Sequence, residues 1–537
     1  MPLFSSLSSW ISASSSRHDR ILTMDTALKA VAGITACAGT YYILRQLTSS
    51  SSSRKKYAGL KKIPEPKGAY PYLGHLLSIG DDVGAKFTEW QEQVGPVMQV
   101  RLGVMKWIVV SDPVFAYDLF CIKGAVASSR PVNAFVYEYY AMGGKGLVFA
   151  PTGKSWRNTR KAVVSVLAPP MVDKFMPMLE KEADYLIERL AADPNGIDPR
   201  QALQVMTMNA VLLTCFGVRA TSVDDPLFQE IANYVDESLA VGGLQGDVTE
   251  FLPILKFFDK FGQRTKKRKV QLALLEKRNA IFERLIKQAL DSKKDCFVRH
   301  FYNILEEHEL DDRDVVVTMS DMIIAGTDTT SVSLVWLFAI LAHHPEVQKR
   351  IQAEIDIFVQ DHGRLPSFAE RRELPYLISV QKEGMRFRSP SVFGMSHVVE
   401  EDVECQGYLI PKGTPVFPNM LGMHHNPNVF SEPEKFIPER FIENTSTMTT
   451  SANGRLENRD HFNFGWGRRV CPGIYLSEVE MFVAMVRLLS KYTIEPSLDA
   501  AGKPVYPDIH SRVSGGLIVL PQSYKVRFIP RTADAAL

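Results

Sequence analysis

The decapeptide Phe464-Gly465-Trp466-Gly467-Arg468-Arg469-Val470-Cys471-Pro472-Gly473 constrains this chain more than any other stretch, because it surrounds one cysteine with glycines, a proline and a cation. Glycines let backbone pass close to a flat ligand without Cβ clashes, and Pro472 stiffens the turn just after the cysteine. Arg469 adds a fixed positive charge. Peptide N–H groups freed in such a turn can hydrogen-bond the sulfur, and Ile474-Tyr475-Leu476 reads as the start of a covering helix. A cysteine in a Gly-rich turn is, by itself, more often a small buried residue than a ligand. The rest of the chain has to decide.

Composition removes several classes. With 62 basic and 60 acidic residues the net charge is +2, which gives no global field for nucleic acid. The run Lys266-Lys267-Arg268-Lys269 reads as a solvated helix end or loop. The six cysteines, at 37, 121, 215, 296, 405 and 471, form no CxxC pair, so neither a disulfide framework nor a zinc finger is indicated and a reducing compartment fits best. His424-His425 with Cys405 matches no common zinc ligand set. At 537 residues the chain holds either one large core or about three average domains.

Organisation along the chain narrows that choice. After an N-terminal segment (1–25), residues 26–44 carry one charge, Lys29, and as a helix would be about 28 Å long, enough to cross a bilayer. Tyr41-Tyr42 suit the interface, and the basic residues Arg45, Arg54, Lys55, Lys56, Lys61 and Lys62 place the bulk of the protein in the cytoplasm. A buried amphipathic helix and an organelle transit peptide are the competing readings. Residues 45–71 form a Ser-rich basic linker that stiffens at Pro64, Pro66 and Pro71, and residues 72–537 are left as one domain. Within it, Val97–Val110 reads as a hairpin about Gly103, residues 155–360 are mostly helix-patterned, and short strand signals return at 397–399, 408–410 and 517–520. The expected fold class is mainly α with a minor β-sheet region.

Four further patterns carry chemistry. Val315–Ala342 is an apolar helix pattern interrupted by Ala325-Gly326-Thr327-Asp328-Thr329-Thr330, where a small residue beside hydroxyls and a carboxylate gives a ligand room; a helix end at Gly326 is the alternative. Glu383 and Arg386, three apart, share a helix face and can pair. Pro438-Glu439-Arg440-Phe441 brings a second arginine, and Trp156 and Arg160, four apart, can point toward one ligand edge. Phe251–Phe258 is strongly apolar and reads equally as a segment dipping into a bilayer or as one buried against a neighbour.

Phe464, Gly467, Arg469, Cys471 and Gly473 resemble the FxxGxRxCxG loop of the cytochrome P-450 superfamily, and WxxxR, the Ala325–Thr330 segment, ExxR and PERF occur in that family's order. The resemblance implies a microsomal, membrane-anchored haem-thiolate monooxygenase with haem b as cofactor and Cys471 as axial iron ligand. It implies cofactor contacts from Trp156, Arg160, His397, Phe464, Arg469 and Gly473, proton delivery through Asp328 and Thr329, and a structural network of Glu383, Arg386 and Arg440. Substrate contacts are expected from 134–147, Ile323 and Ala325, 391–395 and 513–517, whose apolar side chains suit a lipophilic molecule: steroid-like, terpenoid, fatty acid or xenobiotic. No GxGxxG follows a strand, so electrons come from a partner, by resemblance an NADPH-dependent flavoprotein reductase docking near Arg157, Lys161 and Arg468, with cytochrome b5 as an optional second donor. No nucleic-acid partner is expected. The implied location is the endoplasmic reticulum membrane, with mitochondria as the alternative. A haem-thiolate isomerase or dehydratase and a non-catalytic haem sensor are the rival functions.

Overall fold

The computed structural model describes residues 59–531, apart from 81, 133, 243–250 and 254–262. The apolar span at 26–44 and most of the linker after it lie outside the described residues. Among the described residues, the helices of twelve residues or more are α1 (Val83–Val94), α2 (Lys154–Val166), α3 (Met176–Leu190), α4 (Arg200–Phe216), α5 (Pro226–Gly242), α6 (Gln263–Ser292), α7 (Asp312–His343), α8 (Pro345–His362), α9 (Pro375–Phe387) and α10 (Ile474–Leu489). The helix-patterned region therefore folds as the pattern indicates.

The spine of the molecule is α7. Asp311 caps it by accepting from the N–H groups of Arg313 and Asp314, while Asp314 accepts from the Asp311 N–H, a reciprocal capping box that fixes where the helix starts. It packs on α4, α5, α6, α9 and α10, which is why its apolar residues run round the whole helix instead of forming one stripe. Among the described residues α7 is the one helix long and apolar enough to cross a bilayer, and 78% of its apolar window is buried inside the protein.

The interruption expected at Ala325–Thr330 does not occur: α7 runs through it. Thr329 Oγ1 donates to the Ala325 carbonyl at 2.7 Å within the helix, and Thr207 Oγ1 of α4 donates across to the Thr327 carbonyl at 2.6 Å. Burial on several sides outweighs the weak local propensity. Gly326 also has a different reason from the one its sequence context suggests. A Cβ there would lie 2.5 Å from Val211 Cγ2, so this glycine gives room to α4 and not to a ligand.

A four-stranded sheet lies beside the helices in the order β1-β2-β6-β3, formed by β1 (Val97–Leu102), β2 (Met105–Val110), β3 (His397–Val398) and β6 (Pro415–Pro418). β1 and β2 are the expected hairpin, with Val97 opposite Val110 and Leu102 opposite Met105, and β6 joins β2 in parallel. Gly103 turns the hairpin at φ +59°, and its missing Cβ lets the Phe251 carbonyl accept from the Val104 N–H at 2.9 Å. The apolar segment at 251 thus begins buried, its Phe251 ring 5.4 Å from Trp107, while residues 254–258 lie outside the described residues. The remaining strands form small pairs and a triplet: β4 (Val403–Cys405) with β5 (Tyr408–Ile410), β7 (Tyr492–Leu498) with β8 (Pro504–Val505) and β11 (Val526–Pro530), and β9 (Val513–Ser514) with β10 (Val519–Leu520).

Candidate functional site

The cysteine loop closes on itself through its backbone. Gly465 (φ +75°) and Gly467 (φ +53°) adopt the left-handed turns that glycine favours, and a Cβ on Gly467 would overlap the Phe120 carbonyl. The Cys471 N–H donates to the Phe464 carbonyl at 2.8 Å, so Phe464 acts in the loop through its main chain. The Gly473 peptide N–H bonds the Cys471 sulfur. Burial pushes this thiol up; that bond and the Arg160 cation pull the other way. Since α10 begins at Ile474, the helix N-terminus adds positive potential beside the sulfur.

Beyond its first turn, α7 is exposed at one patch. Ala325 and Thr329, four apart on one face, are exposed in a helix whose surrounding residues are buried, with Ile324 and Gly326 half-buried at its edge. Ile323, expected to meet substrate, is fully buried in the core instead, because it lies on the other side of the helix from Ala325. Thr330 Oγ1 donates to Ser477 Oγ at 3.0 Å, which ties this part of α7 to the first turn of α10 just after the cysteine. Asp328 turns away from the patch. It is 1% exposed, one oxygen accepts from Gln204 Nε2 of α4 at 2.8 Å, and the other, also buried, has no partner among the described residues. Burial first, and Asp236 of α5 second, push its carboxyl up to about 6 against the Gln204 bond and Arg200.

Three guanidiniums gather at the edge of the loop. Arg469, 8% exposed, donates to the carbonyls of Ser128 (2.8 Å), Leu147 (3.2 Å) and Ala150 (2.6 Å), and lies 3.8 Å over the Trp156 ring. Arg160 of α2 donates to the Val470 carbonyl at 2.6 Å. Arg130, 7% exposed, donates to Val148 (2.9 Å), Met395 (3.2 Å) and Ser396 (2.7 Å) carbonyls. Burial and then mutual repulsion lower Arg130 and Arg469, and burial lowers Arg160. Sequence reasoning missed Arg130; the only signal is a lone charge in the small apolar run Gly124–Pro131. Trp156 is brought here too, but its indole N–H donates to Leu147 at 3.2 Å, so its ring serves as a platform for Arg469. His397 lies beside Arg130, which together with burial lowers its pKa well below the usual value. Nδ1 donates to the Ala127 carbonyl at 2.8 Å, leaving the neutral ring Nε2 only as an acceptor.

This arrangement fits a haem. Among the described residues no carboxylate is within ion-pair distance of Arg130, Arg160 or Arg469, so two buried cations and the half-buried Arg160 repel one another beside a cysteine whose sulfur receives a peptide N–H. Two propionates would supply the missing anionic charge.

Behind the loop, Glu383 and Arg386 of α9 pair in bidentate fashion at 2.7 and 2.8 Å, and Arg440 reaches the same carboxylate at 3.1 Å. Glu383 also accepts from the Ile437 N–H at 2.9 Å, and Arg386 donates to the carbonyls of His424, Pro433 and Lys435. Both residues of the α9 pair are fully buried. Segments 391–395 and 513–517 meet through Ser391 Oγ, which bonds the Phe393 and Leu517 carbonyls, but the Phe393 ring packs on Phe87 at 5.3 Å. Arg157, Lys161 and Arg468 are exposed, on the helix and loop that Arg160 joins.

Known proteins resemble this chain over most of its length. The sequence model described as Cytochrome P450 matches residues 64–528. Cytochrome P450 monooxygenase macC of Penicillium terrestre is 30% identical over 494 residues, 89% of this chain and 91% of the relative, and Cytochrome P450 monooxygenase yanC of Aspergillus niger is 29% identical over 94% of this chain and 95% of its own. A zebra fish cytochrome P450 solved with progesterone superposes with a TM-score of 0.70 at 26% identity, covering 83% of this chain and 99% of that one. The motif order, the continuous α7 spine and these likenesses agree: the chain belongs to the cytochrome P450 family, which binds haem, and is a monooxygenase enzyme.

Proposed function

We propose that this monooxygenase hydroxylates a C–H bond of a lipophilic substrate, using haem b whose iron Cys471 would ligate and whose propionates Arg130, Arg160 and Arg469 would hold. The observation that carries the reading is the exposed Ala325–Thr329 patch on a buried helix that Thr330 and Ser477 fix beside the cysteine loop. When bound, the haem supplies dioxygen activation, for which a thiolate ligand favours O–O cleavage. Thr329 presents Oγ1 to the opening, its own proton held by the Ala325 carbonyl and its lone pairs free to accept. Asp328, raised to about 6, is mostly ionised at neutral pH yet gains and loses a proton readily there, and it passes that proton on by turning from Gln204 or through water. Ala325 keeps the helix surface low, and the apolar loops exclude water.

The fold of a relative solved with progesterone accommodates a tetracyclic apolar molecule, which supports a steroid-like or similarly rigid substrate. Electrons come from an NADPH-dependent flavoprotein reductase on the face of Arg157, Lys161 and Arg468, with cytochrome b5 as an optional second donor, and residues 26–44 anchor the chain in the endoplasmic reticulum membrane. The test is spectral and catalytic: the reduced, carbon-monoxide-treated protein gives the thiolate-type Soret band and Cys471→Ala loses it, while substrate and reductase together drive NADPH consumption. A band that survives Cys471→Ala would move the ligand elsewhere, and substrate turnover without NADPH would favour an isomerase.

A further inference from the structure

Asp321 of α7 is a buried carboxylate that none of the roles above employs. It lies two turns before Asp328 and is 3% exposed; Oδ2 accepts from the peptide N–H groups of Leu147 (2.7 Å) and Val148 (3.0 Å), and Oδ1 from the Tyr140 hydroxyl (2.9 Å). Gly146 has φ +82°, and a Cβ there would sit 2.8 Å from Asp321 Oδ2 and overlap Val317, so the loop backbone lies flush on the helix. Lys145 pairs with the buried Asp314 at 2.7 Å on the same side, and Arg278 of α6 donates to the Tyr140 carbonyl.

The two residues that Asp321 grips each supply one of the carbonyls that hold Arg469 and Arg130. Leu147 accepts from Trp156 Nε1 and Arg469 Nη1, both at 3.2 Å, and Val148 accepts from Arg130 Nε at 2.9 Å. We propose that Asp321 is a positioning residue for the haem-propionate site: by fixing the N–H groups of Leu147 and Val148 it aims their carbonyls at Arg469, Trp156 and Arg130, and so sets where two of the three guanidiniums stand. This rests on the reading of those arginines as propionate partners. Asp321 reaches the cofactor edge only through two peptide units, so its effect is on cofactor retention and potential rather than on bond-making.

The experiment follows haem transfer from the holoenzyme to an excess of scavenging globin, together with the midpoint potential of the bound haem. Asp321→Leu is expected to release haem on the order of tenfold faster and to shift the potential, with the carbon-monoxide band still of thiolate type. Asp321→Asn keeps an oxygen toward the peptides and should fall between that variant and the parent; it decides the matter if the leucine protein does not fold. Tyr140→Phe removes a donor from the other carboxylate oxygen and leaves both peptide bonds, so it should match the parent. Parental haem loss and potential in the decisive Asp321 variant overturn the proposal, as does equal acceleration in Tyr140→Phe. Arg469→Leu separates the two failures: if it too leaves haem loss unchanged, the propionate reading has failed, and if it alone accelerates loss, only the role of Asp321 has.

Discussion

At Cys471 the backbone does more than the neighbouring side chains. Gly473 contributes a peptide N–H to the sulfur, and a Cβ there would meet it at an ordinary 3.9 Å, whereas Gly467 has no room for one. Gly473→Ala should therefore keep the thiolate band, and Gly467→Ala should lose most of it, compared by optical spectra at equal protein concentration. Glu383→Gln leaves two guanidiniums facing a neutral amide in a buried site, and breaking such a network costs on the order of 3–5 kcal/mol; thermal melts should show that loss. Asp328 gives a signed pH effect. Its folded pKa of about 6 lies above the ordinary 3.8, so its ionisation opposes folding, and the associated stability is full below pH 3.8 and lost as pH rises through 6. Asp328→Asn should flatten this part of the melting-temperature profile, by about 2–3 kcal/mol at most.

The elements show which relations sequence spacing can carry. Glu383 with Arg386, and Trp156 with Arg160, are legible because three- and four-residue offsets on a helix are local geometry. The β1–β2 hairpin is legible from its alternation about Gly103. The continuity of α7 is not, since threonine and glycine at 326–330 weaken a helix locally and only packing by α4 and its neighbours restores it. Arg130 is hidden for a related reason: its carbonyl partners come from residues 148, 395 and 396. So is the direction of Asp328, set by Gln204 on another helix. Packing makes its own prediction. Gly326→Ala forces Val211 to move and should cost about 1–3 kcal/mol, and Val211→Ala should restore part of it, read by thermal unfolding of the single and double variants.

Across the whole molecule, Arg160 joins α2 to the cysteine loop at Val470, and Arg157, Lys161 and Arg468 are exposed on these two segments, the face proposed above for reductase docking. Reversing Arg157, Lys161 and Arg468 to glutamate should lower reductase-supported turnover on the order of tenfold at low salt, less at high salt, with the carbon-monoxide spectrum unchanged. Removing residues 1–44 should shift the protein from the membrane pellet toward the soluble fraction with that spectrum retained. The exposed patch of α7 has a consequence on a longer timescale. From Leu334 to Ala342 every residue of the helix is buried, and full exposure beyond its first turn is confined to Ala325 and Thr329. A lineage that takes up a new substrate can rewrite few letters of this spine without loosening the core, and many in the loops around it. Descent with such a constraint conserves a backbone while the sequence drifts, and novelty accumulates at the rim.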